Sequence, residues 1–60
     1  METTLITYDK IVFEAEQNKA KLFKFDESEI WIPDSLIVDH WENDNQIEIP
    51  VWFAKKNELI

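Results

Sequence analysis

The sequence predicts a mainly β fold with one short C-terminal helix, and three observations support this prediction. Apolar and polar residues alternate over several short stretches, which is the period of a half-buried strand. Polar segments rich in Asn, Asp and Ser separate those stretches and are typical of turns. After Pro50 the apolar spacing lengthens to that of a helix.

Length and composition exclude several classes of protein. Sixty residues allow one domain at most, spanning 1–60. The chain has no Cys and no Gly, which excludes a disulfide framework, a Cys-based zinc site and a glycine-rich nucleotide-binding loop. A chain of this size usually needs a stabilising feature beyond its core, such as a disulfide, a bound metal or oligomerisation. Here four Phe, three Trp and one Tyr must supply an aromatic core, supplemented by self-association or by a partner where the core alone is marginal.

The sequence shows no sign of a membrane or secretion segment. No apolar run approaches the length of a membrane span. The N-terminus is neither basic nor followed by the apolar segment of a signal peptide. We therefore expect a cytoplasmic protein with no contact to a membrane.

The N-terminal half is predicted to be strand-like. Thr3–Gln17 reads as extended chain, with clear alternation over its second part. Gln17–Lys19 is predicted to be a turn, because Asn tolerates left-handed backbone geometry. Ala20–Asp26 is the predicted return strand, so that 11–26 forms a β-hairpin. Three apolar residues are predicted to share one face of its first arm: Ile11, Phe13 and Ala15.

Shorter elements follow the hairpin. Asp26–Ser28 is a predicted turn, and Glu29–Ile32 is a short strand that ends at Pro33, since proline lacks the N–H that a ladder needs. Pro33–Ser35 is predicted to form a corner of one helical or 3₁₀ turn. Leu36–Trp41 is the predicted fourth strand.

The C-terminal part changes its period at a proline. Glu42–Gln46 contains no apolar residue and is predicted to be a loop, whereas Ile47–Ile49 alternates and is predicted to be a strand. Pro50 suits the first turn of a helix, and Lys55 and Lys56 lie where cations favour the helix dipole. This order of elements favours a small, strongly bent antiparallel sheet or a five-stranded SH3-like or OB-like barrel.

Two short motifs resemble those of a known group of proteins. Trp31-Ile-Pro-Asp-Ser35 is followed, after a polar loop, by Ile47-Glu-Ile-Pro-Val-Trp52 and a Lys-rich end. This W-[IV]-P-x-S … I-x-[IV]-P-x-W pattern resembles small uncharacterised proteins encoded by bacteriophages and prophages, over Ala20–Leu59. The resemblance implies a phage or mobile-element origin and implies no activity. The matching positions are Trp31, Pro33, Ser35, Pro50 and Trp52.

Charge is the strongest compositional feature. The chain has 13 acidic residues against 6 Lys, and its formal net charge is −7. A field of that sign repels phosphate backbones, which proteins bind through Lys and Arg, so direct binding to nucleic acid is not expected. The acidity suits a basic groove on another protein. Simple solubility of a small protein is the alternative explanation.

No catalytic, cofactor or metal site is predicted. The only histidine, His40, lies in a D-H-x-E-x-D run with Asp39, Glu42 and Asp44. A metal would need these groups to converge on one point, whereas neighbours on a strand point to opposite faces. A half-buried or surface histidine is therefore favoured. Ser35 lacks the glycines of a nucleophile elbow and suits a turn.

The tryptophans are the candidate partner-binding residues, because Trp is a common hot spot at interfaces. Trp31 stands between Ile30 and Ile32, so its strand is apolar on both faces. A chain this small cannot easily cover both faces itself. We expect at least one of Trp31 and Trp41 at an interface, including that of a homodimer. The full candidate set is Trp31, Trp41, Trp52, Asp39, Glu42 and Asp44.

The sequence therefore predicts a small acidic protein that binds another protein and is not an enzyme. The concrete hypothesis is an inhibitor or modulator of host nucleic-acid-handling or defence machinery, with an acidic face that steers a basic partner and an aromatic patch that holds it. Two alternatives remain open. One is an OB-like accessory module that binds single-stranded nucleic acid through the Lys19–Lys24 arm with Phe23 or Trp31. The other is a structural homo-oligomer.

Overall fold

The computed structural model describes all 60 residues. It contains six β-strands, two 3₁₀ turns and one α-helix. The predicted fold class, mainly β with one short C-terminal helix, is confirmed. The strands are β1 (Thr3–Thr7), β2 (Lys10–Ala15), β3 (Ala20–Phe25), β4 (Ser28–Pro33), β5 (Asp39–Trp41) and β6 (Gln46–Pro50); the 3₁₀ turns are Asp34–Leu36 and Glu42–Asp44, and the helix α1 is Val51–Lys56.

The strands form two three-stranded antiparallel sheets. One sheet has the order β1–β6–β5 and the other has the order β2–β3–β4. Neither sheet closes on itself, so the predicted barrel is not found, and the strands form two open sheets where the prediction had one.

The predicted extended segment Thr3–Gln17 contains two strands that belong to different sheets. Between β1 and β2 the Tyr8 N–H donates to the Asn45 carbonyl at 2.9 Å, and the Asp9 N–H donates to the Lys24 carbonyl at 2.8 Å. The chain therefore leaves one sheet and enters the other within two residues. Side-chain alternation is a local property, so it does not reveal this change of hydrogen-bonding partner.

A β-bulge in β2 overturns the predicted orientation of Phe13. Ile11 pairs with Phe23, and Phe13 pairs with Leu22, so Val12 is an extra residue in the ladder. Ile11 packs against the core, whereas Phe13 lies on the opposite face and is 58% exposed. The prediction that Ile11 and Phe13 share a face is wrong, because an inserted residue shifts a period-two pattern by one position.

After β4 the predicted turn is found, but the predicted strand that follows it is shorter than expected. Asp34–Leu36 forms the predicted 3₁₀ turn after Pro33. The predicted strand Leu36–Trp41 is shortened to β5. Leu36 belongs to that turn, and the Ile37 N–H closes it by donating to the Asp34 carbonyl at 3.0 Å. The predicted loop Glu42–Gln46 contains the second 3₁₀ turn, which ends at Asn45 with φ of 53°. Asn tolerates this left-handed geometry better than most residues.

Helix α1 begins directly after Pro50, as predicted, and ends in a Schellman motif. The Leu59 N–H donates to the Ala54 carbonyl at 2.8 Å, and the Glu58 N–H donates to the Lys55 carbonyl at 3.1 Å. Glu58 has φ of 59°, at the position where helices usually place glycine. The structure contains no helix with the length and apolarity needed to cross a membrane.

One core lies between the inner faces of the two sheets. The β2–β3–β4 sheet contributes Phe23 and Ile32, and the other sheet contributes Ile6 and Ile47, while Ala54 joins them from α1. Because both inner faces line this core, the two outer faces lie on different sides of the molecule. The buried apolar residues are Ile6, Tyr8, Phe23, Ile32, Ile47, Ile49 and Ala54.

Candidate binding surfaces

The outer face of the β2–β3–β4 sheet carries an aromatic ridge, which consists of Phe13, Leu22 and Trp31. Phe13 pairs with Leu22, and Leu22 pairs with Trp31, so the three residues form one row across the sheet. The Phe13 and Trp31 rings meet edge to face with centroids 6.0 Å apart, although their strands are separated by about 9.6 Å, two strand spacings. The rings therefore lean towards each other across Leu22. Trp31 is 47% exposed, and the ridge presents an apolar surface to solvent.

Trp31 and Phe13 reach this face for different reasons. Trp31 alternates with Ile30 and Ile32, which turn towards the core. The alternation in the sequence separates Trp31 from these two neighbours, but only the structure shows that its face is the outer one. Phe13 reaches the outer face only through the bulge at Val12. Sequence reasoning missed Phe13 as a surface residue, because nothing in the local pattern marks where the extra residue lies.

The outer face of the β1–β6–β5 sheet is acidic and carries Trp41. Asp39 and Trp41 are two residues apart on β5 and share a face. Asp39 pairs with Glu48 and Trp41 pairs with Gln46 on β6, while Leu5 pairs with Glu48 from β1. Trp41 is 39% exposed. We call this surface, formed by Leu5, Asp39, Trp41 and Glu48, the acidic face.

Glu42 and Asp44 extend the acidic surface beyond the sheet. Both are exposed in the second 3₁₀ turn, directly after the last residue of β5. Asp39 accepts the backbone N–H of the residue that follows it at 2.8 Å, and Glu48 accepts a hydrogen bond from the Thr3 hydroxyl. The two ion pairs of the structure join other residues, so these four carboxylates carry charge that no lysine neutralises. Sequence reasoning missed Glu48, although the alternation of Ile47-Glu-Ile49 had marked it as outward-facing.

Trp52 lies on a third surface. It is on α1, is 53% exposed, and contacts Phe53 edge to face with ring centroids 5.7 Å apart. Met1 and Lys55 are among the residues that line a shallow cleft of about 320 Å³ beside it. The structure therefore places the three tryptophans on separate surfaces, and only Trp41 lies with the predicted carboxylates.

The only histidine, His40, is hydrogen-bonded to the only tyrosine, Tyr8. The Tyr8 hydroxyl lies 2.7 Å from His40 Nε2, and the His40 ring packs against Phe23 with centroids 6.0 Å apart. Burial raises the pKa of Tyr8 above its ordinary value, and the Glu42 carboxylate raises it further. His40 is half-buried, as favoured above. No group of three or more His, Cys, Asp or Glu side chains lies close enough together to hold a metal ion.

The lysine arm of the nucleic-acid alternative does not form a single surface. Lys24 lies on the outer face of its sheet, whereas Lys21 lies on the inner side and pairs with Asp34 at 2.9 Å. Phe23 is fully buried and cannot stack on a base. The prediction of Phe23 as a stacking residue is therefore wrong. The other predicted stacking residue, Trp31, is accessible.

The largest cleft carries carboxylates and no catalytic constellation. It measures about 710 Å³ and lies between β1, the turn after β3 and the C-terminal residues. Its charged lining consists of Asp26, Glu27 and Glu58, without Lys or His. All three side chains are exposed, whereas general acid–base catalysis relies on an enclosed environment that separates the roles of two such groups.

Comparisons of the chain with protein-family models, with curated proteins and with solved structures find no match. Each of the two exposed sheet faces combines a large ring with nearby charges.

Proposed function

We propose that this protein is a non-enzymatic binding module that recognises a basic partner protein through its acidic face. The observation that carries the proposal is Trp41, an exposed indole on a sheet face whose charged groups, Asp39 and Glu48, are both carboxylates. Indoles are frequent anchors of interfaces. The partner's Lys and Arg side chains would pair with the carboxylates while their cationic heads or aliphatic stems contact the indole.

The charged residues of a long segment around this face are all negative. From Phe25 to Ala54 the sequence contains eight Asp and Glu residues and no Lys. Such a field attracts a positively charged partner and raises the rate of association, and salt screens it. The complex is accordingly expected to weaken as ionic strength rises, chiefly through slower association.

The resemblance to small phage and prophage proteins suggests the biological setting of this binding. The concrete form of the proposal is an inhibitor or modulator of host machinery that handles nucleic acid or defends against phage, acting in the host cytoplasm. Proteins of that kind carry basic grooves for phosphate backbones. An acidic surface with an aromatic anchor would compete for such a groove.

Affinity capture from bacterial lysate tests the proposal. Wild-type chain and Trp52→Ala should recover the same basic protein, whereas Trp41→Ala should recover at least about 30-fold less at sub-saturating bait, the equivalent of a hot-spot loss of about 2 kcal/mol. Asp39→Asn with Asp44→Asn should slow association and flatten its salt dependence. No recovery above background at micromolar bait would contradict the proposal, and so would equal recovery by Trp41→Ala.

The aromatic ridge favours a second candidate function, the binding of single-stranded nucleic acid. Lys10 and Lys24 face each other on the same outer surface, one row from the ridge, and Phe13 and Trp31 offer ring faces on which bases stack. The net charge of −7 opposes this candidate. A mobility shift of an oligonucleotide at low salt, abolished by Trp31→Ala, would support it, and the absence of any shift at low salt would exclude it.

A further inference from the structure

The outer face of the β2–β3–β4 sheet has a raised row beside a low one. The raised row is the aromatic ridge. The next row along the strands consists of Ala15, Ala20 and Pro33, which pair in the same order across the three strands. We call this row the shelf. Its side chains are uncharged and smaller than the rings of Phe13 and Trp31, so the shelf is lower than the ridge.

We propose that a second copy of this chain covers this face, with the aromatic ridge of each copy seated on the shelf of the other. A two-fold axis that lies in the face, perpendicular to the strands and between the two rows, produces this arrangement. It places Leu22 over Ala20 of the second copy and Trp31 over Pro33 of the second copy. The contact is isologous, since both copies use the same surface. Large rings then meet small residues, as in packed sheets whose inner side chains interdigitate.

The ridge and the shelf on one face suit a second copy of this chain as the occupant, and charge determines which face two copies can share. Two copies repel each other because each carries −7, so they approach with the least repulsion through the face with the fewest acids. The charged row beside the ridge contains Lys10, Lys24 and Glu29, and the Asp9 carboxylate lies 4.0 Å from the Lys24 ammonium, so two cations and two anions leave no net charge there. The acidic face on the other sheet carries only carboxylates. The ridge is therefore the apolar surface through which two acidic copies associate with the least electrostatic repulsion.

The size of the face determines the strength of the association. Three strands spaced about 4.8 Å apart, with up to six residues each, cover roughly 14 Å by 20 Å. This footprint is smaller than the roughly 800 Å² per partner of a standard stable interface. The dimer is consequently weak and concentration-dependent. Because salt screens the repulsion between the copies, the dimer becomes stronger as ionic strength rises.

Dimerisation through this face leaves the acidic face of each copy free. Both sheets line one core, so the acidic face lies on a different side of the molecule from the ridge. The dimer then presents two acidic faces and binds a repeated basic target with avidity. This last consequence rests on the proposed function, whereas the dimer itself does not.

Light scattering coupled to size-exclusion chromatography, over a series from micromolar to millimolar protein, tests the proposal. The mass of the wild-type chain should rise from 7.2 kDa towards twice that value, and it should do so at lower concentration in high salt. Trp31→Ala, which lowers the ridge, and Ala20→Arg, which fills the shelf, should both remain at the monomer mass. Trp52→Ala removes a similarly exposed indole from a different surface and should leave the dimer unchanged. Circular dichroism checks that each variant folds.

Three results would overturn the proposal. One is a wild-type chain that stays monomeric at millimolar concentration in high salt. Another is a dimer that persists in folded Ala20→Arg and Trp31→Ala. The third is a monomer whose tryptophan fluorescence is quenched by an oligonucleotide at low salt in the wild-type chain but not in Trp31→Ala, which would assign the ridge to nucleic acid. Failure of the proposed function is distinguishable from these results, because it would appear as absent capture, or as equal capture by Trp41→Ala, whereas the dimer is read from the mass alone.

Discussion

Alanine substitution at Phe23 and at Phe13 should have very different effects on stability, although both residues are phenylalanines in neighbouring, paired strands. Phe23 is fully buried and meets the Tyr8 ring edge to face with centroids 4.8 Å apart. Removing a ring from such a site costs about 3–5 kcal/mol. A domain of 60 residues has a total stability of about 3–9 kcal/mol, so Phe23→Ala should leave much of the protein unfolded.

Phe13→Ala should cost about 1 kcal/mol. The residue is 58% exposed, so only 42% of it is buried, and complete burial of a phenylalanine side chain contributes about 1.5–3 kcal/mol. That fraction corresponds to about 0.6–1.3 kcal/mol. The edge-to-face contact with Trp31 adds at most about 1 kcal/mol in an exposed setting.

Urea unfolding, followed by tryptophan fluorescence and by circular dichroism, measures the difference. Leucine variants provide a matched pair that remains folded: Phe23→Leu should lose about 1–2 kcal/mol, and Phe13→Leu less than about 0.5 kcal/mol. The midpoints should shift without a change in slope. Equal losses at the two positions would refute the reasoning, because they would mean that Phe13 faces the core, as simple alternation predicts, and that no bulge displaces it.

Three further predictions concern single contacts. Glu58→Gly should stabilise the protein by about 1 kcal/mol, because it relieves a left-handed backbone at the end of α1; Glu58→Ala is the control, and an equal gain from it would contradict the explanation. The pKa of Tyr8 in the folded protein is raised, first by burial and then by the Glu42 carboxylate. The unfolded chain has a tyrosine pKa of about 10. The stability that depends on neutral Tyr8 should therefore be fully present below about pH 10 and be lost as the pH rises through the higher pKa of the folded state. Ultraviolet titration of this single tyrosine should give a higher pKa in the native protein than in denaturant, and identical values would count against its burial. A double-mutant cycle on Lys21 and Asp34, whose charges are 2.9 Å apart but partly exposed, should give a coupling of at most about 1 kcal/mol that shrinks in high salt; a larger, salt-insensitive coupling would contradict the expected screening.

Much of the fold could be predicted because its signals are local. Proline at Pro33 and Pro50 ends a strand or begins a helix whatever surrounds it. The hairpin of β2 and β3 and the short helix follow from turn residues and apolar spacing. The placement of Trp31 on the face opposite to Ile30 and Ile32 follows from the sequence, since successive side chains of a strand point to opposite faces.

The composition of the two binding surfaces could be predicted only in part. Asp39, Glu42 and Asp44 are visible in the sequence because they lie close to Trp41 along the chain, whereas Glu48 reaches the same surface only through the pairing of β5 with β6. Phe13 was not predicted as a member of the aromatic ridge, because its orientation depends on the extra residue at Val12. The separation of the tryptophans onto different surfaces was not predictable either, since it depends on which strand each sheet contains.

The sequence by itself determined the fold class, the excess of acidic charge and the positions of most turns, because each of these depends on residue type and on spacing over a few neighbours. The tertiary structure decided where the chain passes from one sheet to the other, at Tyr8 and Asp9, and which face Phe13 occupies. Both depend on hydrogen bonds to strands that lie far away in the sequence. A period-two pattern places alternate side chains on opposite sides of a strand, but only the pairing of strands determines which side becomes the core.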